Sequence, residues 1–394
     1  MVTTLQPPTR DELVDRATKL VPLLRDHAQW NDENRRLHEE TIEALAGAGV
    51  FKMRIPARYG GYECDTRTVV DVAAELGRGD GAVGWIASVW WIPGWMVGMF
   101  PDAVQDEVYT TENVRVCGTL SPTAMAAKAP GGYVVNGQWG FISGALHSHW
   151  QIAIAVTPNA SGEMEPIVAL IPMADLGIVD DWNTTGLRGS GSVTTVAEDV
   201  FVPAERTLPL MALLTNQSAS VLNADIDMYR APLAALASAC SVGNVVGMAR
   251  AAWDCFTDRM PGRKITYTDY TDQREATMTH LQVAEAKVAI DEAAFHAYRV
   301  ADLVDAKVAD HSEWSTEDRA LARIAMGATC KRALEAVDTL YVGSGGSAIF
   351  SSVPIQRTWR DLHALTQHAL NTPHILYEIY GRVLCGLAPN TQFF

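Results

Sequence analysis

Gly131-Gly132-Tyr133-Val134-Val135-Asn136-Gly137 is the stretch on which the reading of the fold turns. Tyr133, Val134 and Val135 are residues that suit a pleated, half-buried surface, and Asn136-Gly137 directly after them supplies the two positive-φ positions of a tight hairpin turn. Similar short runs follow: Gln151 to Val156, Ile167 to Ile171 and Ser192 to Val196. All are rich in Val, Ile and Thr and are separated by turn residues. From about Val114 to Pro209 the chain therefore predicts an antiparallel sheet.

Outward from this segment the period changes. Between Thr9 and about Phe100 apolar residues recur at helical spacing, as in Leu13, Ala17, Leu20, Leu23 and Leu24. Ile55-Pro56-Ala57-Arg58-Tyr59-Gly60-Gly61 interrupts that region as a loop. After Met211 long helical patterns return, with Leu233 to Arg259, Thr271 to Val308 and Thr316 to Val342 as the main segments. No strand signals separate them, so they are expected to pack on one another as a bundle. The fold class that follows is mainly α with a central β domain: an N-terminal helical domain over 1–112, an antiparallel β domain over 113–212 and a C-terminal four-helix bundle over 213–394.

A chain of 394 residues, 48% hydrophobic and 20% charged, builds a substantial core and is too long for one ordinary domain. Its net charge of −15 argues against nucleic acid or an anionic membrane as the main partner, since phosphate binding needs a basic surface. The six cysteines are scattered without a Cys-x-x-Cys pair, which suggests neither a zinc site nor a disulfide framework. A reducing, cytoplasmic setting is expected. The start, Met1-Val2-Thr3-Thr4-Leu5-Gln6-Pro7-Pro8, lacks the apolar stretch of a secretion signal. The longest apolar run, Trp85 to Phe100, holds Pro93, Gly94 and Gly98 and is shorter than a bilayer span, so it reads as buried helix or pocket wall.

The order of helices, sheet and bundle, together with several local strings, resembles the acyl-CoA dehydrogenase fold. Ile55 to Gly61 looks like the family's Ile-Pro-x-x-Tyr-Gly-Gly loop, and Gly131 to Gly137 resembles its Gly-Tyr-x-Leu-Asn-Gly segment. Phe141-Ile142-Ser143-Gly144 stands where the family has Trp-Ile-Thr-Asn. Gly186-Leu187-Arg188-Gly189-Ser190, Val202-Pro203-Ala204-Glu205 and Gly343-Ser344-Gly345-Gly346 complete the set, so the matches run over about residues 50 to 370.

One departure carries the functional reading. Arg360-Asp361-Leu362-His363-Ala364-Leu365-Thr366-Gln367-His368-Ala369 resembles the family's last motif, where many members carry a Tyr-Glu pair whose Glu removes a substrate proton. Here the pair is His368-Ala369. An alanine cannot abstract a proton from the carbon next to a thioester, and the His resembles that of two-component flavin-dependent monooxygenases (group D), the phenol and indole hydroxylases among them. The resemblance implies reduced FAD (FADH2) or FMN delivered by a separate flavin reductase, O2 as co-substrate, a C4a-hydroperoxyflavin, a small aromatic substrate and a homotetramer built as a dimer of dimers, in secondary metabolism. No Gly-x-Gly-x-x-Gly dinucleotide fingerprint is visible, which agrees with a protein that does not itself bind NADH.

The same resemblance assigns roles. Catalysis falls to His368 and Ser143; Ser143 stands at the N5 edge of the flavin, Phe141 covers its face and Ser121 contacts the ring from the loop Gly118 to Thr123. Arg263 matches an arginine that binds the cofactor of a neighbouring subunit, with Gly345 and Gly346 in the loop that faces it. Trp90 and Trp91 border the substrate pocket, and two indoles there suit a flat aromatic molecule. From spacing alone Ser143 is a turn residue, Arg263 a solvated charge and the two tryptophans core packing. His147 and His149 are expected in a turn facing water. No metal site is expected. Because no Arg or Lys lies between Arg78 and Arg115, that wall offers a charged substrate no cation. The readings held against hydroxylation are an N-oxygenase of an amino sugar, an acyl-CoA dehydrogenase with a base borrowed from another helix such as Glu285, and a flavin-binding scaffold without turnover.

Overall fold

The computed structural model describes residues 7–394. Met1 to Gln6, where no secretion signal is expected, lie outside the described residues. The helices before the sheet are α1 (Arg10–Asn34), α2 (Glu39–Ala48), α3 (Thr66–Gly79), α4 (Gly81–Val97) and α5 (Asp102–Tyr109). The strands are β1 (Val116–Ala129), β2 (Gly132–Ile142), β3 (Trp150–Pro158), β4 (Met164–Pro172), β5 (Gly177–Val179), β6 (Val193–Pro203) and β7 (Thr207–Pro209). The chain then returns to helix in α6 (Leu210–Leu214), α7 (Leu233–Arg259), α8 (Thr277–Ala309), α9 (Thr316–Gly343), α10 (Pro354–Leu365) and α11 (Pro373–Leu384).

Local chemistry sets several of these ends. Thr9 and Glu12 form a reciprocal capping box at the start of α1, and Ser315 and Asp318 do the same for α9. Asp65 caps α3 by accepting from Thr68 N–H, and α10 opens on Pro354, whose missing N–H costs nothing in a first turn. The helix expected from Thr271 begins only at Thr277, because residues 260–276 are spent on turns.

The sheet differs from expectation in two respects. Its order is β5-β6-β2-β1-β3-β4-β7, and β1 runs parallel to β3 while the other neighbours are antiparallel. It is a mixed sheet and not a purely antiparallel one. The hairpin turn between β1 and β2 falls at Pro130-Gly131, with Gly131 at φ 82°. Asn136-Gly137 lies inside β2, where the register against β6 slips between Val135 and Gly137. Asn136 there exchanges hydrogen bonds with Asp199, its amide donating to Oδ1 at 2.9 Å and its oxygen accepting from the Asp199 N–H at 2.8 Å. A Cβ on Gly137 would come within 2.6 Å of Ala124 Cα. The extra residue of this bulge lies on β6, where Asp199 takes φ 51°, and of the dipeptide only Gly137 has a positive φ.

Helices from both ends of the chain share one apolar core, and the sheet builds a second with Trp139, Ile142 and Ile171 at its centre. The join is α3 against α7, where a Cβ on Gly243 or Gly247 would lie 2.2 Å from the carbonyl oxygen of Val70 or Ala74. Only glycine permits that approach. Helix α7 is long and apolar enough in composition to cross a membrane, yet 94% of its most apolar window is buried inside the protein. It is the central helix of the fold. Trp95 of α4 is fully buried and donates its indole N–H to the Met228 carbonyl at 2.8 Å. Trp95→Ala is expected to cost about 3–5 kcal/mol, read as a lowered midpoint in denaturant unfolding.

The Arg360-Asp361 motif is a structural clasp. Arg360 reaches Asp32 of α1 at 3.2 Å and donates to the Thr185 carbonyl, while Asp361 Oδ1 accepts from Leu187 N–H at 2.6 Å. It ties α10 to α1 and to the loop ahead of β6. Burial, with the nearby Asp80 carboxylate adding to it, pushes Asp361 up to about 7. The folded protein then holds a proton that the unfolded chain has lost once the pH passes the ordinary Asp value near 3.9. Stability attributable to this group should fall as pH rises from about 4 to about 7. Asp361→Asn keeps the acceptor for Leu187 and is expected to flatten the dependence of melting temperature on pH in that window; an unchanged slope contradicts the assignment.

Candidate active site

A cavity of about 230 Å³ opens where α4, β1, the end of β2, α7, α9 and the turn after α10 meet. Trp85, Val89, Ile92, Pro93 and Met96 of α4 line it. They recur at helical intervals of four, three, one and three residues, so they share one face. The wall is apolar. Pro93 also leaves the Val89 carbonyl without its intrahelical donor.

Trp90 and Trp91, expected at the substrate, do not line the cavity. They project from other faces of α4: Trp90 donates to Ser148 Oγ at 2.9 Å and Trp91 to the Val50 carbonyl at 2.8 Å, and both are buried. The indole that does face the cavity is Trp85, which the helical period singles out from Val89, Ile92 and Met96. Trp90→Phe and Trp91→Phe are accordingly expected to leave substrate KM within about twofold, at a stability cost of roughly 1 kcal/mol each for the lost hydrogen bond; a tenfold change in KM at either position contradicts this placement.

Four of the expected residues come together. Ser121, Phe141, Ser143 and His368 all line the cavity. Ser121 sits with Thr119 and Leu120 where the β1–β3 register slips between Gly118 and Pro122, a bulge that frees this edge from strand pairing. Phe141 has φ 62° and a ring 76% exposed, resting edge-on against Trp182.

Ser143 is buried within a chain of hydroxyls whose direction can be worked out. Ser190 Oγ donates its only proton to the Leu187 carbonyl at 2.7 Å. With the Ser190 proton placed there, Ser192 donates to Ser190 and Ser143 to Ser192, each at 2.7 Å; the Leu187 carbonyl also accepts from Ser190 N–H and Trp182 Nε1, each at 3.0 Å. Trp85 Nε1 donates to Ser143 Oγ at 3.0 Å. With its proton committed and one lone pair used, Ser143 offers the cavity one remaining lone pair. In this direction of the chain it is an acceptor only.

His368 lies in the turn beyond α10 rather than on a helix. Its ring opens onto the cavity, packs against Trp85 with centroids 5.1 Å apart, and accepts at Nδ1 from Leu370 N–H at 3.3 Å. The residue is exposed where the cavity opens, yet the protein atoms packed around the imidazole, with the Arg323 guanidinium second, lower it to about 4. At neutral pH it is uncharged, and since Nδ1 is the acceptor, Nε2 carries the proton. The imidazole therefore donates into the cavity.

No Asp or Glu lines this cavity. Glu285, the base considered for a dehydrogenase, sits on α8 in a separate shallow groove with Glu292 and Arg332. His147 is buried, not turned to water, and burial lowers it to about 4; His149 Nδ1 accepts from Arg115 N–H at 3.1 Å. Neither lines the cavity.

Arg263, Gly345 and Gly346 form a second group away from this wall. Arg263 Nη2 donates to the Ser344 carbonyl and to Ser347 Oγ, Arg259 donates to the same hydroxyl at 3.1 Å, and Gly345 takes φ 62° beside them. Arg259 Nη1 has no partner, and burial together with Arg259 lowers Arg263. Two adjacent guanidiniums without a carboxylate suit a phosphate. Arg323 was not anticipated: it reaches the cavity from α9, far in sequence from the α4 wall that lacks cations. Ser190 and Ser192 were likewise missed, and only their place one turn ahead of β6 signals them.

Comparison with known proteins agrees with this geometry. Residues 9–114 match the domain described as "Acyl-CoA dehydrogenase, N-terminal domain" and residues 239–373 match "Acyl-CoA dehydrogenase, C-terminal domain". The chain is 30% identical, over 95% of its length and 98% of the relative's, to the flavin-dependent monooxygenase oxygenase subunit HsaA of Rhodococcus jostii. It is also 30% identical, over 97% of its length and 96% of the relative's, to the oxygenase component of an FADH2-dependent resorcinol hydroxylase from a Rhizobium species. The solved structure of XiaF from a Streptomyces species, in complex with FADH2 and glycerol, superposes with a TM-score of 0.92 at 28% identity, covering 97% of each chain. With its fold, its cavity free of carboxylates and these relatives agreeing, the chain belongs to the flavin-dependent monooxygenase oxygenase components built on the acyl-CoA dehydrogenase fold.

Proposed function

We propose that the cavity takes reduced flavin and a small aromatic molecule of phenol or indole type, and that this enzyme hydroxylates the aromatic with O2. One observation carries the reading: the titratable group that lines the cavity beside Trp85 is a neutral imidazole donor, and no carboxylate is present to abstract a carbon-bound proton.

The residues fit a reduced flavin in particular. Ser143 retains only an acceptor, which suits an N–H such as reduced flavin presents at N5; oxidised flavin offers an acceptor there and would meet a lone pair. Phe141 is free to cover one ring face, and the Thr119 to Ser121 bulge provides backbone and hydroxyl groups along an edge. The Arg259 and Arg263 pair supports a phosphate-bearing flavin, FAD or FMN, held in part by a second copy of the chain, as in a dimer of dimers. When bound, reduced flavin supplies the activation of O2.

This chain's own residues supply the remainder. The apolar α4 wall excludes water, so a charge developing in the cavity is answered by fixed protein dipoles. His368 Nε2–H, beside Trp85, donates a hydrogen bond to an oxygen in the cavity and so stabilises charge that develops there. A separate reductase must reduce the flavin, in keeping with relatives named as a subunit or component. An amino-sugar N-oxygenase is less well matched, since the α4 wall offers a polyhydroxy substrate few partners.

The test is to mix photoreduced FAD or FMN, air and the protein with resorcinol or with indole. We expect a hydroxylated product in the first case and indigo-type pigment in the second, and no oxidation of a saturated acyl-CoA. Quantitative return of O2 as hydrogen peroxide with every aromatic offered contradicts the reading.

A further inference from the structure

We propose that Arg323 is a substrate-binding residue that receives an anionic oxygen, so that this enzyme takes its aromatic substrate as a phenolate or aryl carboxylate. The proposal rests on the reading above that the cavity is the oxygenase site, and it names the class of substrate for it.

Arg323 extends from α9 into the cavity wall and is 2% exposed. Its guanidinium donates from Nη1 to Ser238 Oγ and from Nη2 to the Leu370 carbonyl, each at 2.9 Å, and its Nε has no partner. Both partners are neutral. Among the described residues no Asp or Glu lies within ion-pair distance of it, whereas the partly exposed Arg360, Arg188 and Arg78 each have one. An arginine does not give up its proton in a protein, so this is a buried charge without a counter-charge. Such a charge is costly to keep unless something in the functioning state answers it.

The cavity shows what that something is. Among its lining residues the titratable side chains are Arg323 and His368 alone, and the imidazole is an uncharged donor. The lining therefore presents one fixed positive charge, one neutral N–H donor and no acid. Bound flavin is the other source of negative charge, but the contacts order the cavity from Ser143 to Trp85 to His368, with Arg323 beyond on the helix-bundle side against Ser238 and Leu370. The cation's partners are Ser238 and Leu370, and it shares none with the hydroxyl that faces flavin N5 in the reading above. A phenolate oxygen held between Arg323 and His368 Nε2–H is activated at its ring carbons, because the ionised oxygen pushes charge into the ring that the oxygen atom must attack.

Binding of 4-nitrophenol to the full chain tests this, since its phenolate absorbs in the visible and reports its own ionisation. At a pH where the free probe is mostly protonated, we expect binding to ionise it, with the apparent pKa of the bound probe lowered by about one unit or more. Arg323→Gln should abolish that shift and weaken phenolate binding by about tenfold to a hundredfold, while nitrobenzene, which cannot ionise, binds within about threefold of the parent. If Arg323 only anchors the turn bearing His368, both probes weaken together, and the proposal is overturned. Ser238→Asp guards against a misfolded variant, because its carboxylate would sit at the Arg323 guanidinium and supply the missing charge. We expect it to raise thermal stability and to eliminate the ionising shift; unchanged probe ionisation in Ser238→Asp overturns the proposal. Loss of reduced-flavin affinity in Arg323→Gln with phenolate binding intact assigns the cation to the cofactor and also overturns it. A probe that binds without ionising refutes the role of Arg323 alone, whereas failure of both probes to bind the parent protein refutes the cavity as the aromatic site and the proposal with it.

Discussion

His368→Ala should lower hydroxylated product by about a hundredfold or more, the scale of a lost hydrogen-bond donor aimed at a developing charge, while the affinity for reduced flavin changes by no more than about threefold. The two effects separate because His368 contacts Trp85 and the turn at Leu370, not the Arg259 and Arg263 pair or the Phe141 face. Oxygen consumption should continue, with the lost product replaced by hydrogen peroxide. His368→Asn retains a donor in this turn and should recover part of the product. The imidazole titrates near 4; below that pH Nδ1 is protonated and the Leu370 N–H loses its acceptor, so the turn that aims the Nε2–H donor is no longer held. Product yield should therefore fall as pH drops through 4 in the parent enzyme and not in His368→Asn. Wild-type yield from His368→Ala contradicts the role, whatever the peroxide level.

Ser143→Ala is the second large effect. It removes the acceptor left facing the cavity and strands the Trp85 N–H, so we expect reduced flavin to bind about tenfold or more weakly and peroxide release to rise, on the basis of roughly 1.5 kcal/mol for the hydrogen bond lost. The direction of the hydroxyl chain gives a sharper test than the deletion. In Ser192→Ala the Ser143 proton is no longer committed and can turn into the cavity. That variant should lose part of the discrimination between reduced and oxidised flavin while retaining Ser143 itself. Equal discrimination in Ser192→Ala and the parent contradicts the derived polarity.

The departure at His368-Ala369 was legible because a missing carboxylate is a chemical fact that needs no coordinates. Ser143, Phe141 and Ser121 were legible for a related reason: each sits in a string whose local backbone, a strand end or a bulge, is set by nearby residues. Asn136-Gly137 misled because the sequence states the need for positive φ without saying whether a turn or a bulge uses it. Trp90 and Trp91 misled because the resemblance places their helix at the substrate without saying which face, whereas a helix sets neighbours about 100° apart and the period from Val89, Ile92 and Met96 points to Trp85. Arg323 could not be read at all. Its helix looks like any bundle helix, and its importance lies in what it lacks, a partner charge, which appears only once α7, α9 and the turn after α10 are packed together.

The pairing of β1 with β3 also stayed hidden, since strand composition carries no record of direction. That parallel neighbour shapes the site, because the register slip between Gly118 and Pro122 is what lifts Thr119 to Ser121 into the cavity.

A single turnover with isotopically heavy oxygen gas addresses the central claim most directly: the full chain, loaded anaerobically with reduced FAD, is mixed with labelled O2 and resorcinol, and the product is weighed by mass spectrometry. The account predicts one heavy oxygen atom in the hydroxylated ring. Label found only in peroxide and water, with resorcinol returned unchanged and the same result for indole, contradicts it.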